Sequence, residues 1–231
     1  MNDLDCYLYQ FFLNSEQLAT TCGLSPERLS QLVADELIPA PSYIVSESSV
    51  ISSFVFGRME AKGAIDGQYF HPTTSVWVNK AIYAISEFGQ AGAQIELKRQ
   101  FTKNLKMALS ELDKSIWRLR DSFTDDGAVI EEGLQARIDS IWEHFLKGTF
   151  GLCVAKPDSE RAIARKEILQ EKLTELTENG KREHFSKTEV PYFLALIDDF
   201  AKATMPFSPI EYSKSSRKRL VENLRARIAK V

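Results

Sequence analysis

Cys153 and His144 are the first residues whose types could do chemistry. Nine residues apart across a glycine-containing turn, they could form a thiolate–imidazole pair. Such a pair needs an accessible, electropositive thiol and a third group to orient the base. No third group stands out nearby, and an isolated cysteine is more often a small buried hydrophobe. No catalytic residue is therefore assigned. His71, His144 and His184 have neither HExxH nor HxH spacing. Asp198-Asp199 sets its carboxylates about 100° apart on a helix, so no metal site is expected. The run KGTFGLC (147–153) holds two glycines, but it lacks the Lys-Ser/Thr pair that completes a phosphate loop. It predicts a tight turn that sends Phe150 and Leu152 into the core. No cofactor motif is recognisable, and the cofactor stays open.

A different chemistry is offered by Ser215-Ser216-Arg217-Lys218-Arg219. Ser215 or Ser216 can cap a final helix, which brings free backbone N–H groups, a positive dipole end and cationic side chains together. Ser215, Ser216, Arg217 and Arg219 are thus candidates for an anion site; the alternative is a solvated terminal helix with ordinary surface bases. Side chains 217 and 219 leave a helix about 200° apart, so both reach one ion only if the first turn is distorted or one of them clamps the body.

Helices must position these groups, because a periodicity of 3.6 dominates the chain. Apolar stripes run through Trp77, Ala81, Ala84, Ile85 and Phe88, and through Phe101, Leu105, Ala108, Leu109, Leu112, Ile116 and Leu119. Others join Leu134, Ile138, Ile141, Trp142 and Phe145, then Ala162, Leu169, Leu173 and Leu176. Phe193, Ile197 and Phe200 follow, and Leu220, Leu224 and Ile228 close the series. Residues 94–120 are expected as the longest helix. Alternation of period two is confined to two short stretches, 42–45 and 150–154. The expectation is an all-α protein with at most two short strands. Breaks fall at 57–72, where a domain boundary is placed.

Residues 14–41, NSEQLATTCGLSPERLSQLVADELIPAP, have the logic of a helix-turn-helix. Asn14 or Ser15 caps a first helix, and Gly23 suits a turn that needs a positive φ. Ser25-Pro26-Glu27 opens the second helix with a cap, a proline and an acid in the first turn. Leu29, Leu32 and Val33 then face Leu18 and Ala19. The spacing of Leu18, Ala19, Gly23, Ser25, Leu29, Leu37, Ile38 and Pro39 resembles the DNA-binding head of the MerR regulators over about 28 residues. That resemblance implies a MerR-like helix-turn-helix module at 1–65, followed by an irregular helical domain at 66–231. It also implies Arg28, Ser30 and Gln31 as DNA-contact candidates, and a dimer paired through the 94–120 helix. The stripe of that helix could equally lie in its own core.

Charge argues against DNA as the main partner. Residues 1–65 carry eight acids against three bases, a net of −5, while residues 214–231 carry seven bases against one acid, a net of +6. Phosphate contacts need positive or neutral donors, so an acidic head would be repelled by a duplex unless the basic tail compensated. The whole chain is at −3. Acids stand where a signal peptide has its basic region. No apolar run approaches the roughly 18 residues of a membrane helix. Three scattered cysteines suit reduced thiols. A cytoplasmic protein without a membrane partner is the expectation.

Over nearly its full length the chain resembles a bacterial family of unknown function sometimes labelled "natural product biosynthesis protein". The match is carried by LIPAPSY (37–43), YFHP (69–72), GTFGLC (148–153), RKE (165–167) and PFSPIEYSKSSRKRL (206–220). Two functional readings follow. One is a regulatory or adaptor protein with a helix-turn-helix head and a helical body that binds a ligand or partner. The other is an enzyme or accessory protein of a bacterial biosynthetic pathway. A homodimer, weak DNA contact, a protein partner and a small-molecule ligand all remain open under them.

Overall fold

The computed structural model describes residues 2–47 and 49–230. It overturns the all-α expectation: among the described residues the N-terminal third carries a five-stranded antiparallel sheet, so the fold is α+β. Helix α1 (Asp3–Phe11) leads into β1 (Leu13–Asn14), α2 (Ser15–Thr21) and α3 (Pro26–Ala34). Strands β2 (Tyr43–Ser46), β3 (Val50–Ser53), β4 (Gly57–Glu60) and β5 (Gly67–Phe70) follow, in the sheet order β1-β5-β2-β3-β4. These strands escape a periodicity search because none exceeds four residues and two of them begin at glycine. In β2 only Tyr43 and Val45 point inward, with Ile44 exposed. Two inward positions are too few to announce a period. The stretch 57–72, read as a boundary, contains both β4 and β5, and β5 pairs with β1 and β2.

Local signals around α2 and α3 behave as chemistry requires. Asn14 and Gln17 form a reciprocal capping box, the Asn14 side chain accepting from Gln17 N and Gln17 Oε1 accepting from Asn14 N, each at 2.9 Å. Gly23 takes φ 67°, and the Ser25 hydroxyl accepts from Arg28 N at 3.2 Å ahead of Pro26. Leu18, Ala19, Leu29 and Leu32 are buried together with Phe70 of β5 and with Val78, Ala81 and Ala84 of the next helix.

That helix, α4 (Thr74–Ser115), is broken at Gly89, whose φ of 68° and ψ of 171° are not helical. Its C-terminal half carries the expected long stripe, and Phe101, Leu105, Leu109 and Leu112 are spent in the core of their own chain. Then come α5 (Glu131–Leu146), α6 (Thr149–Cys153), α7 (Glu160–Leu176), α8 (Val190–Ala203) and, after a π-helical turn at Lys218–Glu222, α9 (Asn223–Ile228). The stretch 150–154, a strand candidate by alternation, lies almost wholly in α6. Gly148 at φ 72° turns the chain into this short helix, and a Cβ there would meet the Ala40 carbonyl oxygen at 2.3 Å. Gly151 is needed for a second close approach, to the Ser42 hydroxyl. Both glycines thus serve the packing of the 40–42 segment against α6, with Phe150 and Leu152 buried beneath.

The C-terminal segment returns to the N-terminal sheet through polar contacts. Tyr43 and Ser208 donate to Glu211 Oε2 at 2.6 and 3.2 Å, and Ser53 donates to Oε1 at 3.2 Å. Tyr7 donates to the Pro206 carbonyl at 2.6 Å. Burial pushes the Glu211 carboxyl up despite these donors. The first apolar cluster accordingly runs from α1 and the sheet through α4 to α7 and Phe207. A separate cluster closes α7, α8 and α9 around Phe200, Leu220 and Leu224.

Candidate ligand pocket

A cavity of about 320 Å³ opens where α5, α6 and α7 converge beneath the β3–β4 turn. Helix α5 presents Ser140, Ile141 and His144 to it, with Ser140 and His144 one turn apart on the same face. Helix α6 adds Thr149, Phe150, Leu152 and Cys153. Helix α7 sends in Lys166, Glu167 and Gln170, and the C-terminal segment contributes Phe207, Lys214 and Ser216. The roof is Val55 and Phe56. Phe56 meets Phe207 edge-on at 6.0 Å between ring centroids, and its neighbour Phe54 meets His144 at 5.5 Å. Phe54 and Val55 nevertheless stay about half exposed, at 51% and 46%. Apolar side chains at a hairpin tip remain partly wet over the mouth of a cavity.

Lys166 is the unusual member, with only 3% of its surface exposed. An ammonium is buried at a steep desolvation cost unless it is paired. Here its Nζ donates to Glu167 Oε1 at 2.8 Å, and the Cys153 sulfur is near enough to act on it electrostatically. Burial works against the charged form, but pairing outweighs it and holds the Lys166 pKa above the ordinary lysine value. For Cys153 the balance reverses: burial pushes the thiol up, and Lys166 offsets only part of that. At neutral pH the sulfur is therefore a thiol, and the Lys166 ammonium is paired with the Glu167 carboxylate. One turn further along α7, Gln170 Oε1 is buried with no hydrogen-bond partner. An orphaned buried acceptor of this kind costs about 1–3 kcal/mol.

The residues singled out from sequence are distributed unevenly around this pocket. Cys153 and His144 both line it, but His144 Nδ1 pairs with the Thr149 hydroxyl at 3.2 Å. A protonated, fully buried thiol is a poor nucleophile. Of the anion-site candidates, Ser216 reaches the pocket, and the others do not gather with it. Ser215 is buried, accepting from Lys218 N at 3.0 Å and donating to the Tyr212 carbonyl at 2.7 Å. Arg217 turns away to donate to the Ala201 and Thr204 carbonyls at 2.7 and 3.0 Å, capping the end of α8. Arg219 lies against Gly180 with its Nε buried and unpaired. On α3, Ser30 and Gln31 are exposed and Arg28 is half-buried, with Gln31 donating to Asp35 at 2.8 Å. Among the described residues no group of three or more His, Cys, Asp and Glu side chains is placed to hold a metal ion. Nor is any helix there long and apolar enough to cross a membrane.

Sequence reasoning missed Lys166, Gln170 and Lys214. A signal for Lys166 was present: it sits at i+4 from Ala162 and three residues before Leu169, inside the apolar stripe of α7. A lysine on the buried face of a helix is either paired or functional, and here it is paired at the wall of a cavity. Gln170, Lys214 and the roof residues carried no such signal, because only the tertiary fold brings their three segments together.

Comparison with known proteins bears on the helical part. No curated protein and no solved structure matches the chain. A family model does match, over residues 76–229, a span that includes all of α5 to α9 and every pocket residue except the roof. The match covers well over half the sequence, and the chain belongs to the family of unknown function DUF6058.

Proposed function

We propose that this protein is a ligand-responsive regulatory or adaptor protein, whose helical body binds a small molecule and whose N-terminal unit reports the occupancy. The observation that carries this reading is the composition of the pocket walls. Three sides belong to the helical body, while the roof is the β3–β4 turn of the sheet that also supports α2 and α3. Closing or displacing Phe54, Val55 and Phe56 acts directly on a sheet whose β5 residue Phe70 is buried against α2 and α3. The cavity is at the lower end of the roughly 300–1,000 Å³ range of small-molecule sites.

On this reading α3 is a docking surface of MerR-like spacing that meets a protein rather than a duplex. Arg28 is its single cation, and a net of −5 over residues 1–65 opposes phosphate contact. The alternative, an enzyme or accessory protein of a biosynthetic pathway, would put Cys153 or Lys166 to work as a nucleophile. A thiol held protonated and an amine held charged suit anchoring better than attack.

The test is native mass spectrometry of the purified protein after incubation with a low-molecular-weight cell extract, with the oligomer mass read from the same spectrum. A retained small molecule at one per chain is expected, displaced when Ile141→Trp fills the cavity. If no extract component is retained and none shifts thermal stability, the ligand-binding reading fails.

A further inference from the structure

We infer that the cleft between α4, α5 and the start of α7 is a second ligand site, which takes a small organic ammonium ion at a position now filled by the chain's own Lys80. The cleft shares no lining residue with the cavity under the β3–β4 turn, so the two sites stand or fall separately.

A buried carboxylate among aromatic faces carries the assignment. A cavity of about 50 Å³ is walled by Trp77, Phe101, Trp142 and Phe145. Three i, i+3 pairs build it: Trp77 with Lys80 and Phe101 with Asn104 on the two halves of α4, and Trp142 with Phe145 on α5. The rings brace one another, Phe145 meeting Trp77 at 4.7 Å and Phe101 at 4.8 Å between centroids. The Trp77 indole donates to the Pro157 carbonyl at 2.8 Å, which holds its ring in place. Glu160, the first residue of α7, lines this apolar space and keeps 7% of its side chain exposed. A buried carboxylate is costly unless it is closely paired. Glu160 is paired loosely. Its Oε1 accepts from Asn104 at 3.3 Å and lies 3.6 Å from Lys80 Nζ, well beyond the separation of about 2.8 Å in a charge-assisted bond. The same Nζ stands 3.9 Å from the Trp77 ring centroid. An indole face opposite a carboxylate is a cation position, and a lysine fills it at long range.

An organic ammonium suits the position better than a metal ion or Lys80 itself. Calcium needs about six oxygen ligands or more, whereas one carboxylate and four aromatic rings meet here. Lys80 keeps 36% of its side chain exposed, so its flexible stem can swing the ammonium into water. Exchanging one ammonium for another leaves the charge of the site unchanged. A methylated ammonium gains by the exchange, because its methyl groups bury apolar surface against the rings while the charge meets Trp77 and Glu160. The volume agrees. A water-sized group takes roughly 10–15 Å³, so a cavity of about 50 Å³ admits about four of them, as many as a trimethylammonium group has heavy atoms.

Choline and dimethylbutanol, its uncharged analogue with a tert-butyl group in place of trimethylammonium, share a shape and differ in charge. Titrations of the full chain at constant ionic strength, followed by tryptophan fluorescence, should rank choline about tenfold tighter than dimethylbutanol. Glu160→Gln, which keeps the size and an acceptor for Asn104, should erase that preference. Lys80→Gln removes the resident cation, so it should bind choline about tenfold tighter than the wild-type chain does, as a site freed of a competing occupant must. Lys98→Gln takes a charge from an exposed position on the same helix. A charge in water is largely screened, so this variant should move choline binding by less than about twofold. Where Glu160→Gln fails to fold, the two lysine variants decide. Equal binding of the two probes, or a gain in Lys80→Gln no larger than that in Lys98→Gln, overturns the assignment. So does a Lys80→Gln chain that shows no saturable binding of choline.

Discussion

Acidification should unfold this protein in part through one histidine. His71 follows β5 and is 6% exposed. Its Nδ1 accepts from Thr73 N at 3.1 Å and lies 2.8 Å from the Thr73 hydroxyl, so that nitrogen carries no proton and the ring is neutral. Burial depresses the pKa to about 4, and the Ala155 backbone and the Asp158 carboxylate offset only part of the effect. The unfolded chain binds the proton near pH 6.5. A depressed base contributes stability that is present above its unfolded pKa and is lost as pH falls toward its folded pKa. Between those two values the loss is about 1.4 kcal/mol per pH unit. From pH 7.5 to 4.5 it amounts to about 2.5 kcal/mol, a large share of an ordinary domain's stability. The variant His71→Asn keeps an acceptor for Thr73 N and does not titrate. Urea unfolding followed by circular dichroism should show the wild-type chain ahead at pH 7.5, with its advantage shrinking steadily as pH falls to 4.5. A difference that stays constant within about 0.5 kcal/mol over that range would falsify the account, since the titrating group would then lie elsewhere.

Two further substitutions test the elements that frame the pocket. Gly148→Ala should cost about 2–4 kcal/mol in denaturant unfolding, because a Cβ meets the Ala40 carbonyl while φ stays at 72°; a loss under about 1 kcal/mol would mean that the 40–42 segment yields easily. Arg217→Ala should lower stability by about 1–3 kcal/mol through the Ala201 and Thr204 carbonyls it leaves bare at the end of α8, with no change in the effect of added phosphate. A phosphate-dependent stabilisation that disappears in this variant would restore Arg217 to an anion site.

What the sequence by itself determined is local. Asn14, Gly23, Ser25 and Pro26 mark the ends of α2 and α3 because a cap, a left-handed turn and a missing N–H are satisfied within a few residues of their own position. The stripe from Phe101 to Leu112 is equally self-announcing, since about three successive turns of helix repeat one requirement. The sheet was decided elsewhere. Four-residue strands have too few inward positions to show a period, and β5 acquires its identity only by pairing with β1 and β2 from more than twenty residues away. The pocket shows the same division. Lys166 lies within an apolar stripe and was passed over, because its meaning depends on Glu167, Cys153 and the cavity beyond them. The dispersal of Ser215, Arg217 and Arg219 could not be read from their spacing: the Ala201 and Thr204 carbonyls that draw Arg217 away lie on α8 and just past its end, sixteen and thirteen residues earlier. Backbone geometry within one turn is written in neighbouring residues, whereas desolvation and partnership depend on which distant segments fold against them.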